Sequence, residues 1–280
     1  MPAATLAELE RLLDDDVPCG DLTTEALGIG AAPGVMKFAA RDPMVLALAE
    51  DAAAIIRLCG CEVELVASSG DRLSAAAPIL TAHGSASGLL RSWKVAQTLI
   101  EIWSGVATAA RDIVDAARAV SPAIAVACTR KNTPGTKRFA VAAVKAGGAT
   151  MHRLGLSETV LVFGEHRGFL DEPLAGTVAR LRATLPEKKL ITEVSSVDAA
   201  LAATEAGFDV LQLEKFAPAD VATLVQQLAA RPARPVIAVA GGVNAGNAAA
   251  YAEAGAQVLV TSAPYTAKPR DVQVRITPAK

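Results

Sequence analysis

From residue 120 onward the chain repeats one short unit: a uniformly apolar run, a polar turn, then residues at helical spacing. The runs lie at 124–128, 159–163, 190–194, 209–213, 236–240 and 257–261, and helical stretches at 138–146, 171–185, 196–206, 218–230 and 245–254 separate most of them. Strands without polar alternation have no wet face, so they are expected to be parallel and covered on both sides. The unit is written twice in matching form. Glu205-Ala206-Gly207-Phe208-Asp209-Val210-Leu211-Gln212-Leu213 and Glu253-Ala254-Gly255-Ala256-Gln257-Val258-Leu259-Val260-Thr261 each read as a helix end, a capping glycine and a strand. This rhythm predicts an α/β fold with a barrel or partly closed barrel. A doubly wound sheet is the alternative, weakened because no Rossmann fingerprint follows the first strand.

The first part of the chain has a different character. Thr5 begins a short helix carrying Leu6, Leu9, Leu12 and Leu13, which Pro18-Cys19-Gly20-Asp21 stops. Strands are expected at 35–40, 62–67 and 79–82, and a helix over 46–58. The longest helical stretch covers 85–119, with Ser104-Gly105 marking either a close packing contact or a break. The expected division is 1–110 for a first α/β domain and 111–264 for the barrel. Val272, Val274 and Ile276 alternate in the tail, so residues 265–280 are expected to return to the first domain as an edge strand.

Charge and composition narrow the function classes. Lys and Arg number 27 against 29 acidic residues, a formal charge of -2, and aromatics make up 4%. Nucleic-acid binding normally needs a basic stripe or stacking platforms, so neither duplexes nor single strands are expected partners. No apolar stretch of about 18 residues lacks charge, so no membrane span is expected. The first residues, Met1 to Leu13, lack a basic region followed by an apolar core, and a cytoplasmic location is expected. Cys19, Cys59, Cys61 and Cys128 are scattered or too cramped for easy pairing, and no histidine lies near enough to complete a zinc set.

Polar residues at the ends of the apolar runs carry the chemistry. In barrels the C-terminal ends of strands form the active face. Arg130 and Lys131 follow the 124–128 run, among Thr129, Asn132 and Thr133. Arg presents a planar fork to a carboxylate and Lys a compact charge. His152 and Arg153 follow Gly147-Gly148; a capping histidine beside a surface arginine is the plain alternative. Glu193 and Glu214 close two further runs. An acid at that depth is costly unless paired or metal-bound, so the two acids suit Mg²⁺ or ribose hydroxyls. Glu214 precedes Lys215, and a simple ion pair would also account for it. Gly241 and Gly242 end the 236–240 run and offer backbone N–H groups to a phosphate, with Thr261 and Ser262 as further donors. Lys94 sits on the long helix, where spacing alone makes it a surface residue.

Taken in order, Gly20-Asp21-Leu22-Thr23-Thr24, Ser104-Gly105-Val106-Ala107-Thr108, Thr129-Arg130-Lys131-Asn132-Thr133-Pro134-Gly135, Gly147-Gly148 with His152-Arg153, and Gly241-Gly242 resemble the nicotinate-nucleotide pyrophosphorylase, or quinolinate phosphoribosyltransferase, family. The likeness covers nearly the whole chain and is greater to the ModD-type branch, which is linked by name to molybdenum transport. It implies an open, incomplete α/β barrel with a second α/β sandwich domain. It implies transfer of a 5-phosphoribosyl group from phosphoribosyl pyrophosphate, with Mg²⁺, to a small anionic N-heterocycle, and a homodimer or higher oligomer with a shared active site. By position, Lys94, Arg130, Lys131, His152 and Arg153 are then substrate-binding, Lys131, Glu193 and Glu214 catalytic, Glu193 and Glu214 the metal-side acids, and Gly241, Gly242, Thr261 and Ser262 the phosphate site. Lys94 stands where the family has an arginine reaching into the neighbouring subunit. The chain departs from the pattern at Cys128, at Phe163 in place of a lysine, and at Glu214-Lys215 and Ser262. The implied outcome is a retained phosphoribosyl half with a changed acceptor. Two other readings compete. One is a protein of molybdenum metabolism that binds molybdate or another oxyanion without transferase activity. The other is an aldolase-like barrel using Lys131 or Lys215 as a Schiff base.

Overall fold

The computed structural model describes residues 1–232 and 234–279. Lys280, the last residue of the expected returning tail, lies outside the described residues. The chain divides into two compact units: Met1–Arg111, Asn132–Gly148 and Pro264 onward form one, and Asp112–Lys131 with Ala149–Ala263 form the other.

The first unit is built on helices α1 (Leu6–Asp16), α2 (Leu22–Ala26), α3 (Ala49–Leu58), α4 (Ala86–Arg118, whose residues from Asp112 belong to the second unit) and α5 (Lys137–Ala146), and strands β1 (Pro33–Ala40), β2 (Met44–Val45), β3 (Glu62–Leu65), β4 (Arg72–Leu73) and β5 (Pro78–Ser85). Thr5 caps α1 in a reciprocal box with Glu8, satisfying two N–H groups that helix geometry leaves open. Asp21 does the same for α2 through the Thr24 N–H at 3.1 Å. An antiparallel sheet runs in the order C-terminal strand (Val272–Pro278), β1, β5, β3, so the alternating tail is an edge strand beside β1. α4 is unbroken at Ser104-Gly105. Ser104 Oγ accepts from Ala47 N at 3.0 Å, and the missing Cβ of Gly105 leaves room for the backbone of Lys268. The helix expected from residue 46 starts at Ala49, because Leu46 to Leu48 are buried ahead of it and Leu48 takes left-handed backbone at φ +58.

The second unit is a seven-stranded parallel sheet. Its strands are β6 (Ala125–Cys128), β7 (Thr150–Met151), β8 (Val160–Val162), β9 (Leu190–Val194), β10 (Val210–Glu214), β11 (Val236–Ala240) and β12 (Val258–Thr261). They lie in the order β7-β6-β12-β11-β10-β9-β8. A closed barrel would pair each strand with its successor around a ring. Here one link, β7 to β8, is missing, and the sheet is an open half-barrel. Helices α6 (Gly164–Arg167), α7 (Leu174–Thr184), α8 (Val197–Ala206), α9 (Pro218–Ala229) and α10 (Ala248–Glu253) connect the later strands. The repeat seen in the sequence is the α8–β10 and α10–β12 pair. Gly207 and Gly255 each take φ +94 where the helix ends, a backbone that a side chain would strain. Leu211, Leu213, Val239 and Leu259 are fully covered, which is why these strands carry no polar alternation. Among the described residues no helix is long and apolar enough to cross a membrane.

Candidate active site

The C-terminal ends of the parallel strands enclose a cavity of about 590 Å³, lined entirely by residues of the second unit. Arg130 and Lys131 enter after β6, His152 and Arg153 after β7, Phe163 after β8, Glu193 from β9, Gln212 and Glu214 from β10, Gly241, Gly242 and Asn244 after β11, and Thr261 and Ser262 at the end of β12. Ten of the eleven residues singled out in the sequence therefore line one cavity. Lys94 does not. It is exposed on α4, where its Nζ lies 4.3 Å from the Trp93 ring centroid and donates to Gln97 Oε1 at 3.2 Å.

One side of the cavity is cationic. Among the described residues no carboxylate lies within ion-pair distance of Arg130, Lys131 or Arg153. Arg153 is only 6% exposed. Burial, and then the charge of Arg130, work against the charged guanidinium, a penalty that an anion between the two arginines would relieve. Arg153 also sits over the Phe163 ring at 5.6 Å, and Phe163 stacks on His166 at 5.7 Å. The His152 N–H donates to Cys128 O at 2.8 Å, which fixes the chain as it leaves β7. Burial, then the adjacent Arg153, hold the His152 imidazole below its ordinary pKa, so at neutral pH it is an uncharged hydrogen-bonding group. Cys128 is fully buried beneath, with its thiol pushed up to about 12 by burial, too high for a nucleophile.

The opposite side is acidic. Glu193 and Gln212 are register partners on β9 and β10, and Gln212 Nε2 donates to Glu193 Oε2 at 2.7 Å. Burial raises the Glu193 pKa; the Gln212 bond opposes that, and Glu214 and Glu165 add to it. Glu214 approaches Lys215 Nζ only at 3.9 Å, and the lysine side chain is 79% exposed, so that pair is worth little and leaves the acid available. The two acids form no ready-made cage: among the described residues no group of three or more His, Cys, Asp or Glu side chains could hold a metal ion. Two carboxylates on one wall do fit Mg²⁺ arriving with a polyphosphate, since Mg²⁺ commonly takes one or two carboxylates and completes its shell with phosphate oxygens and water.

Between the two sides lies the glycine turn. Gly241 and Gly242 take φ +87 and +85 in succession, a left-handed run that turns backbone N–H groups to one side. A Cβ on Gly241 would meet Lys215 Cγ at 2.7 Å and Glu214 Oε1 at 3.0 Å, whereas one on Gly242 would point into open space. Asn244 and Asn247 each donate a side-chain N–H to Gly242 O at 3.0 Å, bracing the turn. The helix expected over 245–254 is shorter, Ala248–Glu253, because Asn244 to Asn247 are used in that bracing. Thr261 Oγ1 donates to Val243 O at 2.6 Å and accepts from Ala263 N at 3.1 Å. Its hydroxyl is thus tied to the loop backbone and sets the shape of that loop. Gln212 and Phe163 were not among the predicted site residues. Gln212 carried a signal: it is the polar residue two before Glu214 in an otherwise apolar run, on the same strand face.

An open parallel half-barrel thus carries cations, acids and a glycine turn at its strand ends, around one cavity. Residues 106–275 match the C-terminal domain of quinolinate phosphoribosyl transferase, and residues 21–104 match its N-terminal domain. The chain belongs to the quinolinate phosphoribosyltransferase family. It is 49% identical to ModD of Rhodobacter capsulatus over 242 residues, spanning 86% of this chain and 93% of that protein. It is 31% identical to a protein named as a probable nicotinate-nucleotide pyrophosphorylase (carboxylating) of Methanothermobacter thermautotrophicus, over 90% of this chain and 91% of that one. The crystal structure of NadC from Streptococcus pyogenes superposes with a TM-score of 0.89 at 24% identity, covering 98% of this chain and 96% of that one, and shares the fold.

Proposed function

We propose that this protein transfers a 5-phosphoribosyl group from phosphoribosyl pyrophosphate to a small anionic N-heterocycle and releases pyrophosphate. The observation that carries this reading is the two-sided cavity, with unneutralised Arg130, Lys131 and Arg153 across from Glu193, Gln212 and Glu214. Arg130 and Arg153 hold the carboxylate of the acceptor and orient its ring nitrogen. His152, uncharged at neutral pH, adds a hydrogen bond without raising the positive charge. Lys131 faces the departing diphosphate. As the bond from the sugar carbon to the diphosphate oxygen lengthens, positive charge grows on the sugar, and the carboxylates of Glu193 and Glu214 are placed to stabilise it. The Gly241-Gly242 turn takes the sugar phosphate. Glu193 and Glu214 would hold Mg²⁺, which when bound offsets the charge of the diphosphate.

The assembly proposed is a homodimer or higher oligomer, with Lys94 supplied to the cavity of a neighbouring subunit. The resemblance supports that role, together with the exposure of Lys94 and its absence from the cavity lining.

Calorimetric titration with phosphoribosyl pyrophosphate and Mg²⁺ is the first test. Binding is expected in the wild type and should weaken strongly in Glu214→Ala. A screen of pyridine and purine carboxylates for pyrophosphate release then identifies the acceptor. Absence of binding in the presence of Mg²⁺ overturns the proposal. Micromolar molybdate binding with no pyrophosphate release from any acceptor would favour an oxyanion-binding role.

A further inference from the structure

Gln212 stands out within β10. Its neighbours Leu211 and Leu213 are fully buried apolar side chains. Here a primary amide, 5% exposed, lies in the cavity wall between two acids. Its Nε2 donates to Glu193 Oε2 at 2.7 Å, which settles the orientation of the amide, because the flipped form would set oxygen against carboxylate. The amide oxygen is then fixed on the other side. It is buried, and among the described residues no group donates to it. A buried acceptor without a donor is costly and rare.

We infer that Gln212 reads a hydroxyl group of the donor sugar: Nε2 positions Glu193, and Oε1 accepts from a ribose O–H. The chemistry excludes the other parts of the ligands. Phosphate, diphosphate and carboxylate groups carry few or no protons at neutral pH and would repel a carbonyl oxygen. A sugar hydroxyl can donate to Oε1 and, being amphoteric, also sit beside an acid. The row Glu193, Gln212, Glu214 therefore presents acceptors on one face, which suits a vicinal diol. Gln212 is thus a positioning residue for Glu193 and a specificity residue toward the sugar. The inference rests on the phosphoribosyl-transfer reading.

The test is a binding series in Mg²⁺ with phosphoribosyl pyrophosphate, ribose 5-phosphate, 2-deoxyribose 5-phosphate, 3-deoxyribose 5-phosphate and pyrophosphate. The wild type should bind ribose 5-phosphate about tenfold more tightly than at least one deoxy sugar, the expected effect of one buried hydrogen bond. Gln212→Met, of similar volume, should lose that discrimination, with ribose 5-phosphate affinity falling severalfold more than pyrophosphate affinity. A merely structural role would move the sugar and pyrophosphate affinities together. Equal affinity of the wild type for the three sugar phosphates, or no binding of ribose 5-phosphate, overturns the inference while phosphoribosyl pyrophosphate binding keeps the parent reading intact. Loss of discrimination among acceptors rather than sugars in Gln212→Met also overturns it. No binding of phosphoribosyl pyrophosphate overturns both. Should Gln212→Met fail to fold, the wild-type ligand series decides alone.

Discussion

Arg153 and Phe163 follow the two opposite edge strands of the seven-stranded sheet, yet the guanidinium carbon stands 5.6 Å from the ring centroid. The sheet curls far enough for side chains to meet where backbone hydrogen bonds do not. Phe163→Leu keeps an apolar side chain and removes the ring, and should cost about 0.5–1 kcal/mol of stability by urea unfolding. Phe163→Lys adds a cation to the cavity. Pyrophosphate should then bind several-fold more tightly at low ionic strength, with the gain shrinking as salt is raised. Unchanged affinity would place residue 163 away from the anion.

Gly241 and Gly242 differ although their backbones are alike. Gly241→Ala meets Lys215 and Glu214 as well as paying for φ +87, whereas Gly242→Ala pays only for its φ of +85. The expected losses are about 1–2 kcal/mol for Gly242→Ala and clearly more for Gly241→Ala. Equilibrium unfolding of the two variants side by side checks the order, and ribose 5-phosphate titration should show the larger loss for Gly241→Ala.

Thr261→Val removes the hydroxyl that joins the end of β12 to Val243 O at 2.6 Å. With both loop partners left without it, the cost should be about 1–3 kcal/mol. Phosphate affinity should fall while affinity for the acceptor is kept, since the cations proposed to hold the acceptor follow other strands. A parallel loss of both would contradict this division.

His152 and Glu193 give the stability profile opposite slopes. The folded pKa of His152 lies below its ordinary 6.5. Just below 6.5 the unfolded chain therefore binds more protons, and the stabilisation, full above that value, is lost as pH falls through the folded pKa. The folded pKa of Glu193 lies above its ordinary 4.5. Its contribution is full below that value and is lost as pH rises through the folded pKa. Glu193→Gln should therefore be more stable than the wild type at neutral pH and bind phosphoribosyl pyrophosphate more weakly. Urea unfolding across acid and neutral pH reads both slopes; a Glu193→Gln protein less stable at neutral pH than the wild type would count against the burial argument.

The parallel sheet was legible because its strands are apolar throughout, and the repeated helix-glycine-strand unit fixed where strands such as Val210–Glu214 begin. β7 escaped notice: two residues, Thr150 and Met151, cannot show a period. The left-handed Leu48 that delays α3 is set by tertiary burial, which local propensity does not encode. Site residues with charge announced themselves at the ends of runs. Gln212 showed only as a polar break in an apolar run, since an amide inside a strand gains its meaning from the acid on the next strand once the register is known. Phe163 stood out only through the resemblance, as a replaced lysine; its contact with Arg153 exists only once the sheet curls.

The absent link between β7 and β8 also bears on how such a pocket can diverge. Arg153 and Phe163 lie beyond strands that share no backbone bonds with each other, whereas the acids and the glycine turn sit on a continuous ladder from β9 to β11. On the proposed reading, exchanges along the unstitched seam would alter the guest and spare the ladder that carries the acids and the glycine turn.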